Sequence, residues 1–158
     1  MTLARRTFLK GIIATGGTMA LGTSLLPSTV KAKTAGWPKL AFEATSVEEV
    51  MMALFEGGEA KETDKITIKA PDIAENGAVV PVEITANLPK VKSITILVDE
   101  NPVPLIGQFH LADNAEGWVK TRIKMDGTSK VIAVVKADGK LYTASRKIVV
   151  TKGGCGGG

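Results

Sequence analysis

Short runs of alternating apolar and polar residues, turn dipeptides between those runs, and one stretch of helical spacing ahead of them predict an all-β fold. The expected architecture is an immunoglobulin-like antiparallel β-sandwich with a short N-terminal helix and a flexible C-terminal Gly-Gly-Cys-Gly-Gly arm. Three parts follow along the 158 residues: an export signal over 1–32, the sandwich domain with its helix over 33–152, and the arm over 153–158.

The signal is read from Arg5-Arg6-Thr7-Phe8-Leu9-Lys10, a twin-arginine pattern with Ala4 where Ser or Thr is usual. A mildly apolar stretch from Gly11 to Leu26 follows, and Val30-Lys31-Ala32 offers the small residues a signal peptidase needs. That stretch is too short and too polar for a stable membrane span. The helix starts at Ser46-Val47-Glu48-Glu49, a capping-box pattern, places Val47, Val50, Met51 and Leu54 at helical spacing, and closes at Gly57-Gly58.

Strands come next. Ile66 and Ile68 alternate with lysines and threonine, and Val80, Val82 and Ile84 alternate with Pro81, Glu83 and Thr85, where the proline favours an edge or a bulge. Val119, Thr121, Ile123 and Met125 oppose Lys120, Arg122 and Lys124. Ile94 to Val98 and Val131 to Val135 are more uniformly apolar than the alternating runs, as central strands with both faces covered would be. A last strand runs from about Leu141 to Thr151. Asn76-Gly77, Asn101-Pro102, Asp126-Gly127 and Asp138-Gly139 mark the turns, giving six or seven strands in one domain.

The formal charge of +4 belongs to the leader. Residues 1–32 hold four of the twenty basic side chains (Arg5, Arg6, Lys10, Lys31) and none of the sixteen acidic ones, which leaves sixteen of each afterwards. A neutral mature chain gives no reason to expect nucleic acid or an anionic membrane surface as partner. The twin-arginine route carries folded proteins, and folding before export suits a cofactor or a partner acquired in the cytoplasm. One His and one Cys are too few for a zinc or iron site, so no cofactor or metal is expected, and a partner chain is the better reason.

Most chemical candidates are weak. His110 has no cysteine or carboxylate placed to join it as a ligand, and Glu48-Glu49 and Asp99-Glu100 read as a helix cap and a turn. Lys120, Arg122 and Lys124 form a basic stripe, either a solvated strand face or a docking patch for an acidic partner or anionic substrate. Cys155 stands apart, the single cysteine, flanked by Gly153, Gly154, Gly156 and Gly157. In an oxidising compartment a structural cysteine needs a mate, and this chain supplies none. A free thiol is only about 3% thiolate at pH 7, poor for a self-sufficient catalyst and adequate for a handle that another active site works on. From Thr151 the Cα of Cys155 would reach roughly 14 Å from the sandwich.

Several segments look familiar together: Ala70-Pro71-Asp72-Ile73-Ala74-Glu75-Asn76-Gly77, Val80-Pro81-Val82, Asn101-Pro102-Val103-Pro104, Thr121-Arg122-Ile123-Lys124-Met125, and Val150-Thr151-Lys152-Gly153-Gly154-Cys155-Gly156-Gly157. With the leader, they resemble the SoxY sulfur-carrier family over nearly all of residues 42–158, and Gly158 is one residue beyond the family's ending. The resemblance implies a periplasmic carrier in thiosulfate oxidation, not an enzyme, that holds thiosulfate-derived sulfur on Cys155. It implies a heterodimer with SoxZ and visits to the haem enzyme SoxAX, the hydrolase SoxB and, in some systems, a sulfane dehydrogenase. Two other classes remain open on the residues alone. One is a Gly-Gly thiocarboxylate carrier of ubiquitin-like type, which needs ATP and fits the leader and strand count poorly. The other is an exported sandwich joined to a partner or to itself by an intermolecular disulfide at Cys155.

Overall fold

The computed structural model of the protein describes residues 38–152. The expectations placed on the leader, on Gly153, Gly154, Gly156 and Gly157, and on Cys155 itself lie outside those residues.

Two short helices precede the strands. α1 (Lys39–Glu43) begins where the Pro38 carbonyl accepts from the amides of Ala41 and Phe42 at 3.0 and 3.3 Å. α2 (Val47–Phe55) is the helix read from sequence, and its Ser46 side chain accepts from the Glu49 amide at 3.1 Å. Glu49 reaches back one residue further than a capping box requires, accepting from the Thr45 amide at 2.7 Å and from its hydroxyl at 3.2 Å. The left-handed turn that ends α2 starts at Glu56 (φ 56°), one residue ahead of the expected glycine, and continues through Gly57 (φ 73°).

Nine strands follow among the described residues: β1 (Lys61–Glu62), β2 (Ile66–Lys69), β3 (Ile73–Ala74), β4 (Val80–Ala86), β5 (Val91–Val98), β6 (Leu105–His110), β7 (Trp118–Ile123), β8 (Ser129–Ala137) and β9 (Lys140–Val150). The larger sheet has the order β1-β9-β8-β5-β6, with β3 also on β9, and the smaller one is β2-β4-β7. All pairings are antiparallel except β1 and β3, two-residue strands that run parallel to β9 near its two ends. Both lie beyond the six or seven strands expected, since two residues carry no alternation to read. The β8–β9 hairpin turns on Asp138 (φ 47°) and Gly139 (φ 75°), the pair of positive angles a two-residue I′ turn demands.

Residues of both sheets fill the space between them. Ile66, Ile68, Val82 and Ile84 of the small sheet meet Ile94, Ile96, Val131 and Val135 of the large one. The uniform apolarity of β5 and β8 has a second cause. Leu97 and Val134, on their opposite face, pack with Ala41, Ala44 and Val50 of the helices and with Leu105. The central strands are therefore buried on both sides, one by the sandwich partner and one by the helix pair. Pro81 sits on the middle strand of the small sheet, yet β2 ends opposite Glu83, so β4 has only β7 beside it there. The proline occupies a local edge, which its missing donor requires.

Glu49 ties the start of α2 to acid stability. Acceptance from the Thr45 amide, then from its hydroxyl, holds this carboxyl below its ordinary value of 4.5. A depressed folded value means a contribution that is complete above pH 4.5 and fades as pH falls through the folded value. Urea unfolding from about pH 7 down to about pH 3 is expected to show a shallower acid loss for Glu49→Gln than for the parent chain. Identical slopes would remove this account.

Candidate functional site

The loops at one end of the sandwich are bonded into a mount for the end of β9. There the β8 ladder finishes at Ile148, paired with Ser129, so the residues that follow need other partners. The Thr128 hydroxyl accepts from the Val150 amide at 3.0 Å, and the segment 70–79 provides the rest. β3 runs beside β9 with Ile73 opposite Val149 and Ala74 opposite Val150, and the Val149 amide donates to the Asp72 carbonyl at 2.9 Å. Thr151 donates twice, from its amide to the Ala74 carbonyl at 3.0 Å and from its hydroxyl to the Glu75 carbonyl at 2.9 Å. The Gly77 amide then donates to the Lys152 carbonyl at 2.7 Å, the last described bond before the glycines.

Asn76-Gly77 was read as a turn, and a turn it is. The Asn76 side-chain oxygen accepts from the Ala78 amide at 2.8 Å, the bond of an Asx-turn. That turn aims the Gly77 amide at Lys152, while the Gly77 carbonyl accepts from the Met125 amide at 2.8 Å. Met125 is fully buried in the sandwich core, so the mount is tied to the body through it. Asn101, 7% exposed, extends the network: its amide nitrogen donates to the Lys124 carbonyl at 2.9 Å and its oxygen accepts from the Asp126 amide at 2.9 Å. Further back, Arg146 on β9 donates to the Asp72 carboxylate at 2.7 Å and to the Ile68 carbonyl at 3.4 Å, fastening the approach to β3.

The side chains of the remaining candidates take no part in the bonds of this mount. His110 is exposed at the end of β6, opposite Ser93. Lys120 and Arg122 are exposed on the outer side of β7, and Lys124 follows them. Lys120 lies 3.5 Å from the Glu83 carboxylate, which the Trp118 side chain, Lys69 and Lys120 together hold below the ordinary glutamate range. The stripe lies on an exposed strand face, with Lys120 paired to Glu83. Asp99 and Glu100 take part in a turn, where their amides donate to the Lys130 carbonyl and the Ser129 hydroxyl. No cluster of three or more His, Cys, Asp or Glu residues suited to a metal occurs among the described residues.

A profile described as "Sulfur oxidation protein SoxY" matches residues 51–155. The chain belongs to the SoxY family. Among solved structures, the sulfur carrier protein SoxY from Chlorobium limicola f thiosulfatophilum is 36% identical, with 72% of this chain and 97% of that one covered at a TM-score of 0.63. A superoxide reductase (neelaredoxin) from Ignicoccus hospitalis is 18% identical over 54% of this chain and 79% of its own, at a TM-score of 0.49. No curated protein matches. Of the five segments that carry the family resemblance in sequence, four reach the mount (70–77, 101–104, 121–125 and the described start of 150–157), and Val80-Pro81-Val82 lies on β4 beside β7.

Sequence reasoning did not single out Thr151, Arg146 or the pairing role of Ile73-Ala74. Their bonds run largely to backbone carbonyls, which leave no trace in an apolar pattern. Replacing the buried Asn101 with Ala removes the part-buried bonds to the Lys124 carbonyl and the Asp126 amide. A loss of about 1–3 kcal/mol in urea unfolding is expected, with faster amide exchange at Met125 and Gly77. Unchanged exchange at both amides would show that Asn101 does not support the mount.

Proposed function

We propose that this protein is a periplasmic sulfur carrier, exported folded by the twin-arginine route, that holds thiosulfate-derived sulfur on Cys155 and presents it to successive enzymes. The observation that carries this reading is where the family match stops. It ends on Cys155, the chain's one thiol, five residues past the end of β9 and three past Lys152, the last pinned residue. Because Lys152 is itself bonded, the free length is shorter than the roughly 14 Å expected from Thr151. Three Cα steps allow the Cα of Cys155 to lie no more than about 11 Å from that of Lys152.

The chemistry follows from a thiol on a short leash. Joining Cys155 to thiosulfate makes a bond between Sγ and the outer sulfur; the thiol proton and two electrons leave, the electrons passing to a haem enzyme of SoxAX type. Water then attacks the terminal sulfonate sulfur in a SoxB-type hydrolase. Sulfate departs, two protons are released, and a persulfide stays on Cys155. The last sulfur either passes to a sulfur acceptor or is oxidised in place by a sulfane dehydrogenase, which takes six electrons while three waters supply the oxygens, and the resulting sulfonate is hydrolysed off as sulfate. In every step Cys155 is the substrate's handle and the reacting groups belong to the visiting enzyme. SoxZ, without a leader of its own, is the partner that would ride out with the folded chain, which gives the twin-arginine signal its reason.

Cys155→Ser is expected to abolish the thiosulfate-dependent mass on the C-terminal peptide, while circular dichroism and SoxZ pairing stay as in the parent. Intact mass of periplasmic protein from thiosulfate-fed cells reads this directly. Sulfur adducts persisting on the Ser variant would sink the proposal. A disulfide-linked dimer of the parent chain with no sulfur-loaded monomer would favour the interaction-module reading instead.

A further inference from the structure

The described residues leave seven large apolar side chains well exposed, and four of them surround the mount. Ile73 (60% exposed) and Val149 (42%) are register partners on β3 and β9. Val79 (55%) closes the turn that holds Lys152, and Val103 (42%) sits in the loop that Asn101 ties to residues 124–126. The other three lie elsewhere, Leu40 and Met52 on the helices and Trp118 on β7. Scattered single exposures need no explanation, but a group collected at one end of a small body does.

The leash says what must meet that group. A thiol whose Cα is within about 11 Å of Lys152 cannot enter an active site unless the rim of that site comes down onto the residues around Lys152. Any enzyme that works on the Cys155 sulfur therefore touches this end of the sandwich. Charge gives the encounter little direction. Lys124, Lys147 and Lys152 are mixed there with Glu75 and Asp126, and Asp72 is already paired with Arg146 at 2.7 Å. Apolar contact is what distinguishes the surface.

We infer that Ile73, Val79, Val103 and Val149 form a docking collar for the channel rim of the enzymes that act on the Cys155 sulfur, and that this rim is apolar. The inference rests on the carrier reading. A collar of four aliphatic side chains is a small interface, in the range of transient contacts, as suits a carrier that must leave each enzyme.

The test compares the reduced SoxYZ carrier complex in two forms, the parent and the triple variant Ile73→Thr, Val79→Ser, Val149→Thr. Thiosulfate-dependent loading of Cys155 by purified SoxAX is followed by intact mass, and Cys155 alkylation by iodoacetamide is followed in parallel. The triple variant is expected to lose about tenfold or more in kcat/KM for loading with its alkylation rate unchanged. Val103→Asp, on a separate loop, is expected to move the same way, and Leu40→Ser with Met52→Ser is expected to load as the parent does. Parent-like loading of the collar variants overturns the collar alone. Loss of SoxZ pairing also overturns it, by giving the patch to the partner subunit. A parent complex that never loads overturns the carrier reading and the collar with it.

Discussion

The termination of β9 is the constraint on which the functional end of this molecule depends. A strand that leaves its ladder exposes amides and carbonyls, and each needs a new partner or water. Here the chain between β2 and β4 doubles back to supply them, through β3, the carbonyls of Ala74 and Glu75, and the Gly77 amide. Fraying is thereby stopped at Lys152. Gly77 bonds forward to Lys152 and accepts from Met125, so the last fixed residue is coupled to a side chain in the middle of the core. A carrier whose arm began in a frayed strand would present its thiol from a wandering origin, and ordering each extra residue would cost on the order of 1–2 kcal/mol at every docking.

The two-sided burial of β5 and β8 makes this mount possible. Val131 and Val135 hold the sandwich together, and Val134 with Leu97 seats the helices on the other face. β8 is thereby fixed on both sides, and β9 lies directly against it from Lys140 to Ile148. β9 also has a partly open second edge, which β1 covers near its start, Arg146 near its middle and β3 near its end. The partners on that edge, β1, the Ile68 carbonyl that Arg146 holds, and β3, all come from residues 61–74. The edge that would otherwise invite another strand is the one used to anchor the arm.

Much of this was legible in the residues. Ser46 with Glu49 located α2, the alternation around Ile66 and Val82 located β2 and β4, and the apolar runs at Ile94–Val98 and Val131–Val135 identified strands covered on both faces. What covers the second face was not legible, because α1 spans five residues and offers barely one turn of periodicity. Pro81 was read as an edge or bulge residue; the structure makes it a local edge on a central strand, since β2 is shorter than β4. The familiar segments could be recognised as a set, but their common purpose could not. Asn101, Gly77 and Thr151 are far apart in sequence, and the bonds that unite them end on backbone atoms.

Rigidity up to Lys152 and shortness beyond it have one consequence for recognition. A long tether would let the thiol find an active site while the body stayed remote, and specificity would have to reside in the tail. With about 11 Å available, the body arrives whenever the thiol does. On the proposed carrier reading, Gly153 and Gly154 would need to contribute no contact energy of their own. Selection of the enzyme passes to the surface around the root, where apolar side chains gather and charges of both signs are mixed. On the proposed carrier reading, such a surface would give modest affinity without long-range steering, so each visit would end by simple dissociation and leave the same thiol to meet a different enzyme next.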